Sequence, residues 1–187
     1  MTEAEWLAAT DPTPMLEFLR GKASERKLRL FACGCCCRHP DILDDVSLQQ
    51  AIHAMEQLAE GLLNGTTRPR YNTFMHRSLI CRLGAASGIT AAFGTVRYLS
   101  KLPLSSLCRC VFGNPFLPEF IETTWMTSNV VALACGIYQE RAFDRMPILA
   151  DALQDAGCDS DDILAHCRGD GPHVRGCWVV DLLLGKE

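Results

Sequence analysis

The apolar residues of this chain recur with the period of an α-helix along most of its length, and in few places with the period of a strand. Between Ser47 and Leu63 the stripe is Leu48, Ile52, Met55, Ala59 and Leu62. Steps of three and four put these side chains on one helical face. Leu28, Phe31, Ala32 and Cys35 repeat the pattern at i, i+3, i+4 and i+7. No Asn-Gly turn joins two alternating runs, so hairpins are not expected. The pattern predicts an all-α fold, a compact bundle of about seven to nine helices.

Punctuation residues divide the helices. Asp11-Pro12-Thr13-Pro14 interrupts the first helical stretch, Glu3 to Leu19. Ser24 opens the next helix, which ends by Pro40. Asn64-Gly65 closes the one after that. Thr66 to Asn72 reads as a loop, and Thr73 to Leu99 as one long helix with a weak point at Gly84 or Gly94. Within it, Gly84, Gly88 and Ala92 lie four apart, a spacing that lets another helix approach closely. Pro103 to Val111 forms a short helix. Ser128 to Glu140 forms another, with Val131, Ala134, Cys135 and Tyr138 on its inner face. Towards the end, Pro147 starts a helix with Ile148, Leu149, Ala152 and Leu153 inward, stopped by Gly157. Ser160 with Asp161 and Asp162 starts a second that stops at Gly169. Pro172 opens a third that runs through Val174, Cys177, Trp178, Leu182 and Leu183 to Gly185. These units hint at stacked helix pairs at the C-terminus. The 187 residues are read as a single domain, 1–187, with residues 113–118 as the place where two lobes would part.

Composition narrows the classes. Hydrophobic residues are 48% and charged residues 21%, enough apolar surface for a core. A net charge of -4 argues against nucleic acid as the main partner. Leu83 to Val96 is too short and too diluted to cross a membrane, which takes about 20 apolar residues. The first residues, MTEAEWLAATDP, lack the basic and apolar regions of a secretory signal, so a reducing cytoplasmic setting is expected.

The eleven cysteines carry most of the chemistry that the sequence offers. In a reducing compartment most are expected to pack as small hydrophobes. Two groupings allow more. Cys158, His166, Cys167, His173 and Cys177 place five nitrogen and sulfur donors within twenty residues, and zinc takes four such ligands in a tetrahedron. His173 and Cys177 share a face if the last helix begins at Pro172. No CxxC knuckle accompanies them. The second grouping is the run Cys33 to Cys37, in which Cys33 shares a helical face with Cys36 or Cys37. Soft thiolates there suit zinc or copper(I), and Cys108-x-Cys110 is the segment that would complete the set. Charged runs have a plainer reading. Arg68, Arg70, Arg77 and Arg82 form one strip, Asp151, Asp155, Asp159, Asp161 and Asp162 another, and both fit solvated faces.

The two ends, MTEAEWLAATDPTPMLEFLRGKASERKLRLFACGCCCR and ERAFDRMPILADALQDAGCDSDDILAHCRGDGPHVRGCWVVDLLLGKE, together resemble a large paralogous family of planctomycete bacterial proteins. They cover under half of the chain, and the likeness does not extend to roughly 41–124. The resemblance implies a bacterial origin. It brings no activity, fold, ligand or catalytic residue, and the run Gly34 to Cys37 is richer in cysteine than the family leads one to expect.

Three functional readings follow. The first is a non-enzymatic intracellular interaction or scaffold protein with an unidentified protein partner and no cofactor. Trp6, Trp125 and Trp178 would be its anchors if exposed, against the plainer expectation that each is core. The second is a cysteine-based zinc or copper protein, or a thiol-redox protein. The third is a hydrolase using Cys177 with His173. The chain carries no GxSxG, P-loop, GxGxxG or HExxH motif that would point to another chemistry.

Overall fold

The computed structural model describes residues 1–38, 46–63, 87–99, 104–117 and 120–186. Among these the fold is all-α, with ten α-helices, two 3₁₀ turns and no strand. The helices are α1 (Glu3–Ala8), α2 (Pro12–Leu19), α3 (Glu25–Cys36), α4 (Val46–Ala59), α5 (Gly88–Tyr98), α6 (Ser105–Phe112), α7 (Ser128–Glu140), α8 (Met146–Asp155), α9 (Asp161–Arg168) and α10 (Trp178–Leu183). No described helix is long and apolar enough to cross a membrane. The chain divides into two compact units, Met1–Cys108 and Arg109–Glu187. The division falls within α6, while the proline and glycine punctuation falls at 113–118.

In the first unit, capping explains where helices begin. Thr2 and Glu5 form a reciprocal capping box on α1, and Asp11 accepts from Thr13 N at the start of α2. Ser24 accepts from Lys27 N and starts α3. The face of α3 is fully apolar: Leu28, Phe31, Ala32 and Cys35 are buried as their spacing predicts, and Leu30, Cys33 and Cys36 join them. Cys33 and Cys36 pack with Leu48, Ile52 and Met55 of α4 and Ala91 of α5. A partly buried ion pair, Arg26 to Glu60 at 2.9 Å, fastens α3 to the chain just past α4.

Three expectations for this unit are corrected. α4 stops at Ala59, where Gly61 N–H reaches Leu58 O and Leu62 N–H reaches Gln57 O. Leu62 therefore leaves the stripe and is 72% exposed. The helix ending at Tyr98 begins at Gly88, because Ser87 is extended and caps it by accepting from Thr90 N. It then runs unbroken through Gly94. Gly84, the loop Thr66 to Asn72, the arginine strip and Cys81 lie outside the described residues.

Of the small residues spaced four apart, Gly88 marks a close approach. Among the described helices, α3 and α5 share the most extensive packing. At Gly88 an added Cβ would sit 2.7 Å from the Glu25 carbonyl oxygen and 2.9 Å from Leu28 Cβ. The Gly88 N–H also donates to the Glu25 carboxylate. Because the nearest atom is backbone, it cannot rotate away. Gly88→Ala is expected to destabilise the protein by about 1–3 kcal/mol, the usual cost of overpacking. Urea unfolding checks this, and an unchanged midpoint would show that the two helices have room to separate.

The second unit has its own core, built from α7, α8, α9 and α10 with Cys110 and Trp125. Thr127 caps α7 and Ser160 caps α9. The buried face of α7 is Val130, Ala134, Ile137 and Tyr138, one step from the expected Val131 and Cys135, which are only partly buried. On α8 the inner residues are Leu149, Ala150 and Leu153, while Ile148 is 55% exposed. In both helices half of the expected face stays buried, so each is turned by less than the roughly 100° that separates neighbouring residues. The predicted stops of α8 at Gly157 and α9 at Gly169 match the structure.

Candidate metal centre

Four donors from four points in the chain converge in the second unit. Cys110 lies in the last turn of α6, His166 in the last turn of α9, His173 in the turn that follows, and Cys177 at the start of α10. Their ligand atoms all lie within 4.8 Å of one another. Cys177 Sγ is 3.2 Å from His166 Nε2, and His173 Nδ1 is 3.9 Å from both Cys110 Sγ and Cys177 Sγ. Bonds of about 2.3 Å to sulfur and 2.0–2.1 Å to nitrogen place tetrahedral ligands roughly 3.3–3.8 Å apart. The observed contacts bracket that range, so small side-chain movements would bring the set onto an ion.

Local folding explains each position. On α9, Ile163 and Cys167 are four apart and both face the core. His166 sits beside that stripe, so its ring leaves the apolar layer and reaches the cluster. It stands edge-on to His173, with ring centres 4.8 Å apart, and lies 5.2 Å from the Trp178 ring. Arg168, at the end of α9, bonds Asp151 and Gln154 of α8 and fixes that end of the helix. Beyond Gly169 the chain is irregular until Trp178. The expected helix from Pro172 is therefore corrected: His173 and Cys177 meet across a turn. Cys177 N–H donates to Val174 O at 2.9 Å and Gly176 has φ 89°. That conformation breaks a helix and favours glycine.

The electrostatics single out Cys177. Full burial alone would push its thiol up, but hydrogen bonds from Cys110, His166 and His173 outweigh it. Together they hold the Cys177 thiol well below its ordinary range, and the thiolate is the form that metals bind. His173 Nε2 is buried without a hydrogen-bond partner among the described residues. An atom left so costs about 1–3 kcal/mol, and it is Nδ1, the other ring nitrogen, that faces the two sulfurs.

Of the five donors expected near the C-terminus, the structure thus gathers His166, His173 and Cys177. Cys158 and Cys167 stand apart in the hydrophobic core, where burial raises both thiols. In the N-terminal run, Cys33, Cys35 and Cys36 are buried and Cys37 is half-buried at the end of α3. Desolvation pushes Cys35 and Cys36 well up, helped by their neighbouring thiols. Among the described residues, only one set of three or more His, Cys, Asp or Glu donors converges in this way, and Cys33, Cys36 and Cys37 are not in it. Cys110, weighed only as a partner for that run, belongs with the histidines instead. Nothing local in the sequence ties it to His166, since the link is made by the fold.

The other expected features are settled more simply. Trp6, Trp125 and Trp178 are at most 7% exposed, so none is a surface anchor. The five aspartates from Asp151 to Asp162 are all exposed. The imidazole nearest Cys177 belongs to His166, not His173, and the sulfur has no exposed surface, which denies a substrate direct access to it. No protein-family model, curated protein or solved structure matches the chain.

Burial and raised pKa together predict thiol behaviour. A thiolate-selective alkylating reagent at pH 8 should leave Cys35, Cys36, Cys158 and Cys167 unmodified until the protein unfolds. Peptide mapping by mass spectrometry reads the order of modification, and early labelling of any of the four would contradict their placement.

Proposed function

We propose that this chain is a non-enzymatic metal-binding protein whose second unit carries a structural zinc ion on Cys110, His166, His173 and Cys177. The observation that carries this reading is the convergence of two sulfurs and two imidazoles within 4.8 Å. Two thiolates and two neutral imidazoles balance the charge of a zinc ion. The loaded centre is then neutral overall and can be buried without the large cost of an isolated charge. Four protein ligands fill the tetrahedron, which is the arrangement of structural zinc, whereas catalytic zinc keeps a position open for water or substrate. The mixed donor set favours zinc over copper(I), which is better served by thiolates and thioethers alone. An interaction role for the helical body fits a closed, structural centre, and the likeness of the chain ends to planctomycete proteins supports a bacterial origin within the same proposal.

The test uses the full chain, purified without a histidine tag. Stoichiometric zinc is expected. Cobalt replacement should give the intense visible bands of a tetrahedral ion with a thiolate charge-transfer band. Cys110→Ser and His166→Ala should each weaken binding by more than about 100-fold, beyond the 10–100-fold typical of residues one shell out. Cys167→Ala should keep both stoichiometry and spectrum. His173→Cys should retain cobalt with a stronger charge-transfer band, a result that a purely structural histidine would not give. Protein that binds no zinc and shows only octahedral cobalt would overturn the reading.

A further inference from the structure

The turn that separates two of the four donors, His173 and Cys177, is tied to a neighbouring helix by one side chain. From Val174 to Cys177 the chain makes a β-turn, closed by the Cys177 N–H to Val174 O bond of 2.9 Å. Its third residue, Gly176, has φ 89°, as a type II turn requires. Arg175 is the second residue, at the corner between His173 and Cys177. Its guanidinium reaches the C-terminal end of α7. Nε donates to Tyr138 O and Nη2 to Gln139 O, both at 3.3 Å. The guanidinium carbon also lies 5.1 Å from the centre of the Tyr138 ring.

Both ends of this link have a physical reason. A helix leaves its last four carbonyls without intrahelical donors, and a cation suits the negative end of its dipole. At the end of α7, the N–H groups of Arg141 and Ala142 turn back to Ile137 O. Tyr138 O and Gln139 O, next along, face the planar fork of Arg175. Two separate donors plus stacking on Tyr138 fix the guanidinium in direction as well as position, which one ammonium group cannot do.

We infer that Arg175 is the positioning residue of the metal centre: by fastening the Val174–Cys177 turn to the end of α7, it sets the spacing of His173 and Cys177 before the ion binds. This rests on the zinc reading of those ligands. Arg175 touches no metal, and its effect is to reduce the ordering that binding must otherwise accomplish.

The experiment measures cobalt and zinc affinity of the full chain by chelator competition, with unfolding in urea before and after chelation. Arg175→Ala should lower affinity by about 10–100-fold while leaving the tetrahedral cobalt spectrum intact, since the ligands are unchanged. Arg175→Lys should recover part of the loss. Lys186 stacks on the same ring at 4.7 Å from its centre but is not part of the turn, so Lys186→Ala should leave affinity unchanged. A merely structural Arg175 would lower stability equally with and without metal and leave affinity at the wild-type value. That result overturns the inference and spares the zinc reading. A wild-type chain with no tetrahedral cobalt spectrum overturns both.

Discussion

Two thiols and two imidazoles meet inside the Arg109–Glu187 unit, and that meeting is the constraint on which the unit's irregular half depends. Cys110 and Cys177 are almost wholly sealed from water. Groups of this kind cannot be left unsatisfied without loss of stability. The elements that present them are short: α9 has eight residues and α10 six. Helices of that length do not persist alone, because nucleation costs more than so few hydrogen bonds return. The connection between them, from Gly169 to Cys177, has no regular structure. Joining α6, α9, the turn and α10 at one point gives these weak pieces a common anchor. Arg175 and Arg168 brace the pieces from outside, on α7 and α8 respectively.

The cysteines divide by environment, although as residues they are the same. Cys33, Cys35, Cys36, Cys158 and Cys167 pack among apolar side chains. Where the surroundings offer little polarity, burial favours the neutral thiol, as at Cys35, Cys36 and Cys167. Cys177 is as deeply buried, yet hydrogen bonds from Cys110, His166 and His173 reverse the direction. Depth therefore does not decide which way a thiol is shifted. The polar neighbours do. This is why a cysteine count of eleven, high as it is, carries little chemical meaning until the histidines are placed.

The fold class was legible because helical periodicity is a local property. Ser24, Ser160 and Thr127 cap helices with their own side chains, and a cap needs only the few residues after it. Leu28, Phe31, Ala32 and Cys35 announce their face by spacing alone. What failed was phase and termination. Ile148 and Leu62 look like core residues in the sequence, but each lies where a small rotation or an early stop turns it outward. The site was legible in part for a similar reason. His166, His173 and Cys177 are close in sequence, so they could be grouped, and Cys158 and Cys167 were grouped with them without distinction. Only the phase of α9 sends His166 one way and Cys167 another. Cys110 lies too far along the chain for any spacing rule to reach it. The turn at Gly176 was hidden because Pro172 reads as a helix start, while the left-handed residue that prevents the helix comes four positions later.

The zinc reading requires that these four side chains form one tetrahedral centre of two sulfurs and two nitrogens. X-ray absorption at the zinc edge of the purified, zinc-loaded protein tests it most directly. Such a centre gives two scatterers at about 2.3 Å, fitted as sulfur, and two at about 2.0 Å, fitted as imidazole nitrogen with its outer-ring signature. A first shell of five or six oxygen or nitrogen atoms without sulfur would contradict it.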